Sequence, residues 1–245
     1  MKIVIPAAGL GSRMMPYTAH IPKAMLPVGQ QTPITRLLAQ LQANNATQII
    51  IITGYQQQTL SAFVLNHFPN LDIQFVYNDC FAKANNIYSL FVAKRYCNGE
   101  ITIINADLLL ADELLNRILN SPPNFVVVDK DVALTETATK VVFKDGFYLS
   151  RISKDIDPAS AQGENIGVIR LAKDATDMFF GKVTEFIERG NLQVWYPYAL
   201  DELLGEISVK ALFTNQLPWC EIDTPQDYEK AVNLFAESKL GEEKN

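Results

Sequence analysis

Two glycines, Gly9 and Gly11, follow the first apolar run of the chain, inside the segment IPAAGLGSRMMPYTAHIPKAM at residues 5–25. Glycines let backbone N–H groups approach a ligand closely, and successive N–H groups can form an anion-binding concavity. Arg13 can bind phosphate oxygens with its forked guanidinium, and Lys23 adds a compact positive charge. The spacing therefore predicts a phosphate-binding loop directly after a first strand.

Neither of two common phosphate-loop motifs fits this segment. The G-x-G-x-x-G pattern needs glycine where Met14 stands, and the G-K-[ST] of the P-loop is absent. Charge nevertheless favours an anion site, because residues 1–71 carry four basic residues and no acid, whereas the remainder carries 17 basic and 27 acidic residues. A small polyanion could bind this acid-free segment. A Gln- and Asn-rich surface that lacks acids by chance is the alternative.

Alternating strand and helix patterns have to position this loop. The apolar runs KIVI, QIIIITG, DIQFVYN and EITIINAD alternate with stretches whose apolar residues recur at helical spacing, such as PITRLLAQLQANN. This alternation predicts an α/β fold with a Rossmann-like, mostly parallel sheet flanked by helices. Ligands of such sheets bind at the carboxyl ends of the strands, where the loop and Asp107 both fall.

The second half of the chain has a more β-rich pattern. FVVVD, KVVFKDGFYLSRIS and GENIGVIRL are typical of hairpin strands, and KDGF has turn chemistry. We therefore predict one domain over residues 1–245, with a small β-rich insertion at about 125–170. A closing helix is predicted in TPQDYEKAVNLFAESKL, with Thr224 as its N-cap and Pro225 in its first turn.

Composition narrows the class of protein. The 245 residues are 48% hydrophobic and 20% charged, as in ordinary globular proteins. A net charge of −6 argues against nucleic acid as a partner, and no apolar run reaches the roughly 18 residues of a membrane helix. Three dispersed cysteines and the absence of a signal-peptide pattern predict a reduced, cytoplasmic protein without structural zinc or membrane insertion.

The loop and several later segments resemble a known family. PAAGLGSRMMPYTAHIPKAMLPV resembles the signature of the sugar-phosphate nucleotidyltransferases, typically A-A-G-x-G-[ST]-R followed by P-K. NNIYSL at 85–90, NADLLL at 105–110 and CEIDTPQDYEKA at 220–231 are similar to the branch of CTP:phosphocholine cytidylyltransferases. TATKVVFKDGFYLSRISKDI is also similar to the related inositol-1-phosphate cytidylyltransferases.

The resemblance implies a role for each matching residue. Arg13 would bind the β- and γ-phosphates, and Lys23 would neutralise charge near the α-phosphate, so these two are the expected catalytic residues. Asp107 and Asp223 would hold Mg²⁺, a hard cation that bridges phosphate oxygens. A capping role is the alternative for the amide, hydroxyl and aspartate side chains. The implied nucleotide-binding residues are Ala8, Gly9, Gly11, Ser12, Asn85, Asn86 and Ser89.

The acceptor side has weaker candidates. Similarity to the inositol-phosphate enzymes gives Lys140 a contact with the acceptor phosphate, with an exposed edge-strand lysine as the alternative. Aromatic side chains could surround a choline headgroup by cation–π contact, or they could belong to the core. Pro197 stands where the phosphocholine enzymes have an acidic residue. Asn105 stands where relatives often have an acidic residue. The aromatic candidates are Trp195, Tyr196 and Trp219.

The resemblance implies transfer of a cytidylyl group from CTP to a small phosphomonoester such as phosphocholine, with release of pyrophosphate. CTP and a small phosphorylated alcohol are then the expected partners, and the product would serve the synthesis of cell-surface glycan or lipid headgroups. A hexose-1-phosphate nucleotidyltransferase that uses UTP or dTTP is the enzyme alternative. A nucleotide-binding subunit without catalysis is the non-enzyme alternative, and the oligomeric state stays open, a homodimer included.

Overall fold

The computed structural model describes residues 1–236, and the predicted helical residues 237–240 lie outside this part. The strands are β1 (Lys2–Ala7), β2 (Ile49–Thr53), β3 (Ile73–Tyr77), β4 (Ile101–Ile104), β5 (Leu108–Leu110), β6 (Phe125–Asp129), β7 (Lys140–Lys144), β8 (Tyr148–Ser153), β9 (Gly163–Leu171), β10 (Lys210–Phe213) and β11 (Trp219–Glu221). The helices are α1 (Pro33–Ala43), α2 (Gln57–His67), α3 (Asn86–Ala93), α4 (Asp112–Asn120), α5 (Lys173–Glu188), α6 (Pro197–Asp201) and α7 (Pro225–Phe235).

Nine strands form one sheet in the order β3-β2-β1-β4-β9-β6-β10-β8-β7. The half made of β3, β2, β1 and β4 is parallel, with Ile3 opposite Ile49 in β1 and β2. β9 pairs antiparallel with β4 and β6, and β6 pairs parallel with β10. The β-rich stretch at 125–170 supplies β6 to β9 to this same sheet. The predicted α/β fold with a Rossmann-like parallel sheet and flanking helices is confirmed.

Helices cover both faces of the parallel half. All five residues of β2, with sequence IIIIT, are buried, as expected for a strand between two helical layers. Val4 of β1 packs in one buried cluster with Leu90 of α3, and Ile5 packs in another with Leu37 of α1. No helix within residues 1–236 is long and apolar enough to cross a membrane.

A capping box begins the closing helix. The side chain of Thr224 accepts the N–H of Asp227, the Asp227 carboxylate accepts the N–H of Thr224, and Pro225 occupies the first turn. The N-cap predicted at Thr224 is confirmed. This box fixes the point at which the chain leaves β11 and turns into α7, directly after Asp223.

The capping box of α1 yields a prediction on stability. Thr32 accepts the N–H of Thr35, and the Thr35 hydroxyl accepts the N–H of Thr32. Thr32→Ala should lower the free energy of unfolding by about 1 kcal/mol, whereas Thr32→Ser should lower it by less than about 0.5 kcal/mol because its hydroxyl still accepts the bond. Urea unfolding followed by circular dichroism measures both. Equal losses in the two variants would contradict a capping role.

Candidate active site

A cleft of about 1540 Å³ opens at the carboxyl ends of the parallel strands. Its walls come from the segments after β1, β4 and β11, from the start of α3, and from the loop between β6 and β7. All the predicted site residues except Lys140 line it. These residues are Ala8, Gly9, Gly11, Ser12, Arg13, Lys23, Asn85, Asn86, Ser89, Asp107, Trp195, Tyr196, Trp219 and Asp223.

The loop after β1 is shaped by one glycine and held by two side chains. Gly11 has a φ of +63°, in the left-handed region that side-chain-bearing residues rarely adopt. The Thr18 hydroxyl donates to the Gly11 carbonyl at 2.8 Å, and Met14 is fully buried. A Cβ atom added at Gly9 would meet nothing within 4 Å. The backbone of Gly9 therefore borders open space in the cleft.

A lysine and two carboxylates meet in the cleft. The Lys23 Nζ atom lies 2.5 Å from Asp107 Oδ2 and 2.5 Å from Asp223 Oδ1. Arg13 Nη2 lies 2.9 Å from the other oxygen of Asp223, Oδ2. Residues from three distant parts of the chain therefore converge on one ammonium group.

A two-stranded ribbon brings the two aspartates together. β5 and β11 pair antiparallel, with Leu108 opposite Glu221. Asp107 directly precedes β5, Asp223 follows β11 by two residues, and the N–H of Ile222 donates to the Asp107 carbonyl at 3.1 Å. The two carboxylates are neighbours because the hydrogen bond between Ile222 and Asp107 continues the backbone pairing of β5 and β11 beyond the ends of these strands.

The proximity of these charges shifts their pKa values. Burial alone would lower the pKa of Lys23, but Asp107 and Asp223 raise it above its ordinary value. Burial would raise the pKa of Asp223, yet Lys23 and then Arg13 hold it below its usual range. Burial, followed by repulsion from Asp107 and Asp223, raises the pKa of Glu221 to about 8. Near neutral pH this shift favours the protonated, uncharged form of Glu221.

Asp107 and Asp223 have the chemistry of a magnesium site. Mg²⁺ binds through one or two carboxylates together with the phosphate oxygens of a substrate. Asp107 Oδ1 is buried and accepts no hydrogen bond from the residues that the structure describes, so it is free to bind a cation. Within residues 1–236, no three His, Cys, Asp or Glu side chains are grouped as a metal site. Two carboxylates are enough to hold a Mg²⁺ ion that phosphate oxygens of a substrate also bind.

Asn105 connects Glu221 to a buried tyrosine. Its amide Nδ2 donates to Glu221 Oε1 at 3.0 Å, and its Oδ1 accepts from the Tyr196 hydroxyl at 3.0 Å. Gly167, with a φ of +92°, makes room for it, because a Cβ there would lie 2.5 Å from Asn105 Nδ2. An acid at position 105 would place a further carboxyl against the partly buried Glu221. The amide at position 105 instead satisfies both of its neighbours.

Polar side chains at the start of α3 bond to neighbouring segments. Asn85 and Asn86 hydrogen-bond to backbone groups in residues 193–196, at 2.5 and 2.9 Å. The Asn85 side chain makes no capping bond. Ser89 accepts from the Asn78 amide at 3.0 Å, and both are almost fully buried in the cleft wall. Asn78 was missed from the sequence; its position directly after β3 is the signal that could have identified it.

Lys140 lies outside the cleft lining, which corrects its predicted contact with an acceptor phosphate. The residue is fully buried, so an exposed edge-strand lysine is wrong as well. Its Nζ donates to the carbonyls of Thr135, Glu136 and Ala138 at 3.2, 3.1 and 3.2 Å. These three carbonyls use the donors of the ammonium inside the protein and leave none for a phosphate.

Lys154 does line the cleft, and sequence reasoning missed it. Its Nζ lies 4.6 Å from the ring centroid of Trp195, a cation–π contact. Burial lowers the pKa of Lys154, although Glu221 and Asp223 favour its charged form. Its place directly after the last residue of β8 was the available signal, because ligand-binding residues cluster at strand ends.

The predicted aromatic residues are already engaged with groups of the chain itself. Trp195 carries the Lys154 ammonium on one face, and Tyr196 is only 1% exposed. Trp219 donates its indole N–H to Asp129 Oδ2 at 2.5 Å. A choline headgroup could therefore contact only part of the surface of these aromatic rings, and the rings do not form a free aromatic cage.

A carboxyl group also belongs to the cleft lining. Glu164 of β9 lines the cleft and lies opposite Asp129 of β6 and opposite Lys140 of β7. Burial, followed by repulsion from Asp129, raises the pKa of Glu164 to about 7. The cleft thus combines the side chain of Lys154 with a carboxyl that titrates near neutrality.

Curated relatives share nearly the whole length of the chain. It is 32% identical over 240 residues to the choline-phosphate cytidylyltransferase of Streptococcus pneumoniae (strain ATCC BAA-255 / R6), with 96% of this chain and 98% of that protein covered. It is 27% identical over 248 residues to the bifunctional protein GlmU of Methanococcus aeolicus, with 98% of this chain and 57% of that protein covered. The chain therefore spans little more than half the length of the second relative.

A solved structure and a family model agree with these relatives. The inositol-1-phosphate CTP transferase from T. maritima has the same fold, with a TM-score of 0.80 and 19% identity over 98% of each chain. The expected resemblance to nucleotidyltransferases of the phosphocholine and inositol-phosphate branches is confirmed. The model for the MobA-like NTP transferase domain matches residues 3–152, which hold the glycine loop, Lys23 and Asp107. Because that match covers more than half of the sequence, the chain belongs to the MobA-like NTP transferase domain family.

Proposed function

We propose that the protein transfers the cytidylyl group of CTP to a small phosphomonoester such as phosphocholine and releases pyrophosphate. The observation that carries this proposal is the convergence of Lys23, Asp107 and Asp223 beside a glycine loop. Such a site offers fixed positive charge, and carboxylates for a cation, where two polyanions have to meet. The streptococcal relative supports cytidylyl transfer, because the two proteins cover each other almost end to end.

The proposed reaction is an in-line substitution at the α-phosphorus of CTP. An oxygen of the acceptor phosphate attacks this phosphorus and forms a new P–O bond. The bond between the α-phosphorus and the bridging oxygen breaks, and pyrophosphate leaves with its electron pair. Both reactants are anions, so the protein contributes mainly by positioning them and neutralising their charge.

The loop after β1 binds the nucleotide in this mechanism. Backbone N–H groups from Ala8 to Ser12 face the base and the phosphates, and Arg13 binds the β- and γ-phosphates that become the leaving group. The Arg13 side chain is 56% exposed. It can therefore exchange its contact with Asp223 for phosphate oxygens at little desolvation cost.

Two lysines act on the reacting phosphates. Lys23 neutralises charge at the α-phosphate, and its raised pKa keeps it protonated at neutral pH. Lys154 binds the acceptor phosphate, because it lines the cleft and rests on Trp195 rather than on a carboxylate. The acceptor is then held between an ammonium on each side.

Asp107 and Asp223 would hold Mg²⁺ when the nucleotide is bound. The ion supplies positive charge to the phosphate oxygens. In the free protein, Lys23 offsets the repulsion between the same two carboxylates. Tyr196 and Asn105 hold the neighbouring Glu221 in place through one chain of hydrogen bonds.

Pyrophosphate release in the presence of Mg²⁺ tests the proposed function. CTP, UTP, ATP, GTP and dTTP are each paired with phosphocholine, phosphoethanolamine, inositol 1-phosphate, glycerol phosphate and glucose 1-phosphate. We expect turnover with CTP and an alcohol phosphate. Turnover restricted to UTP or dTTP with glucose 1-phosphate would instead make the protein a hexose-1-phosphate nucleotidyltransferase. No turnover, with nucleotide-dependent thermal stabilisation, would indicate a binding subunit.

Asp107→Asn tests the carboxylate pair. The substitution keeps the shape of the side chain but removes its charge, so kcat should fall by about 100-fold or more. Asp177→Asn is the matched control, because Asp177 lies on the exposed face of α5 and forms only a surface ion pair with Lys173; its kcat should stay within about twofold of wild type. A kcat for Asp107→Asn that equals the control would contradict the metal-binding role.

Gly9→Val tests the loop. Its side chain would enter the open space beside the loop, so KM for CTP should rise about tenfold or more while the melting temperature stays near that of wild type. Gly205→Val is the control, because a Cβ there also meets nothing within 4 Å but lies outside the cleft lining. An unchanged KM for CTP in Gly9→Val would remove the loop from the nucleotide site.

A further inference from the structure

Lys140 is a fully buried lysine that the proposed reaction does not use. It begins β7, and its Nζ donates to three carbonyls of the preceding loop, those of Thr135, Glu136 and Ala138. No described carboxylate lies within 4 Å of this ammonium, since the ion pairs within residues 1–236 do not include it. The charge is therefore compensated at short range by backbone dipoles alone.

Burying an ammonium is unfavourable unless hydrogen bonds replace the water that it loses. Three carbonyls from one short stretch of chain supply those bonds, and they point to one nitrogen only in a single conformation of that stretch. Lys140 thus selects one shape for residues 135–138. An apolar residue at this position would fill the same space without favouring that shape.

The loop of residues 132–138, whose carbonyls accept hydrogen bonds from Lys140, makes few other hydrogen bonds to the rest of the protein. Among the described residues, no backbone hydrogen bond joins residues 132–138 to another element, and the bond from Ala138 to Thr135 lies within the loop. Backbone pairing with β9 resumes at Thr139, whose carbonyl accepts the N–H of Asn165 at 2.8 Å. The ammonium of Lys140 is therefore the main polar link between this loop and the sheet.

The same loop forms a wall of the acceptor end of the cleft. Residues 132–133 and 135–139 line the cleft, as do Lys154 and Glu164. Glu164 lies directly opposite Lys140 on the paired strand β9. A change in the shape of the loop would therefore alter the space available to the acceptor but leave the glycine loop and Arg13, on the nucleotide side, in place.

We propose that Lys140 is a positioning residue for acceptor binding: its buried ammonium fixes the loop of residues 132–138 as the wall of the acceptor pocket. This inference rests on the proposed function, because it assigns the acceptor to that end of the cleft. Lys140 itself touches no substrate.

Lys140→Met tests the proposal, because methionine has nearly the same length but donates no hydrogen bond. We expect KM for phosphocholine, or for the phosphomonoester that the substrate screen identifies, to rise about tenfold. KM for CTP should stay within about twofold and kcat should change less than the acceptor KM, since the nucleotide side is untouched. Lys144→Met, at the exposed end of the same strand, is the matched control and should change none of these values.

Hydrogen exchange provides a readout that does not depend on activity. Amides of residues 132–138 should exchange faster in Lys140→Met than in wild type, while exchange in β1 and α3 stays the same. Lys140→Gln keeps an N–H donor without the charge, so the exchange rates of these amides should lie between those of wild type and Lys140→Met. If Lys140→Met does not fold, Lys140→Gln is used for the test instead.

Two outcomes would overturn the proposal. The first is a KM for the acceptor in Lys140→Met that equals the KM in Lys144→Met. The second is a rise in KM for CTP in Lys140→Met as large as the rise in KM for the acceptor, because such a rise indicates a general disturbance of the fold. Absence of turnover in the wild-type protein with every nucleotide and acceptor would contradict the proposed function instead. Exchange at residues 132–138 would then decide separately whether Lys140 fixes the loop.

Discussion

The double ion pair of Lys23 with Asp107 and Asp223 is the interaction on which the rest of the site depends. Two carboxylates within reach of one ammonium would repel each other without it, and their partly buried surroundings strengthen that repulsion. The fold can hold this arrangement because the β5–β11 ribbon fixes both aspartates through the backbone. The loop after β1 supplies the lysine. Three segments that are distant in the sequence thus contribute one charge each to a single point in the cleft.

The neighbours of this ion pair divide the cleft into two ends with different chemistry. The end that we propose for the nucleotide has glycines, backbone N–H groups and the exposed Arg13. At the end that we propose for the acceptor, two lysines are held by groups of the protein itself. Lys154 rests on an aromatic ring, and Lys140 is surrounded by carbonyls. We propose that the shape of this end sets the specificity for the acceptor, and that the other end supplies general affinity for phosphate.

The residues that line the cleft were easier to predict around the glycine loop than around Lys154, and the reason is physical. The glycine loop, Arg13 and Lys23 lie within one short segment, so their spacing alone indicates a common site. The neighbourhood of Asp107 and Asp223 depends on the pairing of β5 with β11, two strands of three residues each, and local periodicity cannot predict such pairing. The sequence also could not show that Lys154 rather than Lys140 lines the cleft. The face to which a strand residue points depends on the register of its strand, and a shift of one residue turns every side chain to the opposite face. Asn78 was missed because a buried amide at a strand end looks like any turn residue.

A thermodynamic cycle on Lys23 tests the central claim most directly. In wild-type protein, Lys23→Met should lower the free energy of unfolding by about 2–3 kcal/mol, because it leaves Asp107 without a counter-ion and Asp223 with Arg13 alone in a partly buried site. In a protein that already carries Asp107→Asn and Asp223→Asn, the same substitution should lower it by less than about 1 kcal/mol, since no repulsion remains to be offset. Urea unfolding of the four proteins gives the difference. Equal losses in the two backgrounds would mean that Lys23 contributes packing rather than charge balance, and would contradict this account of the site.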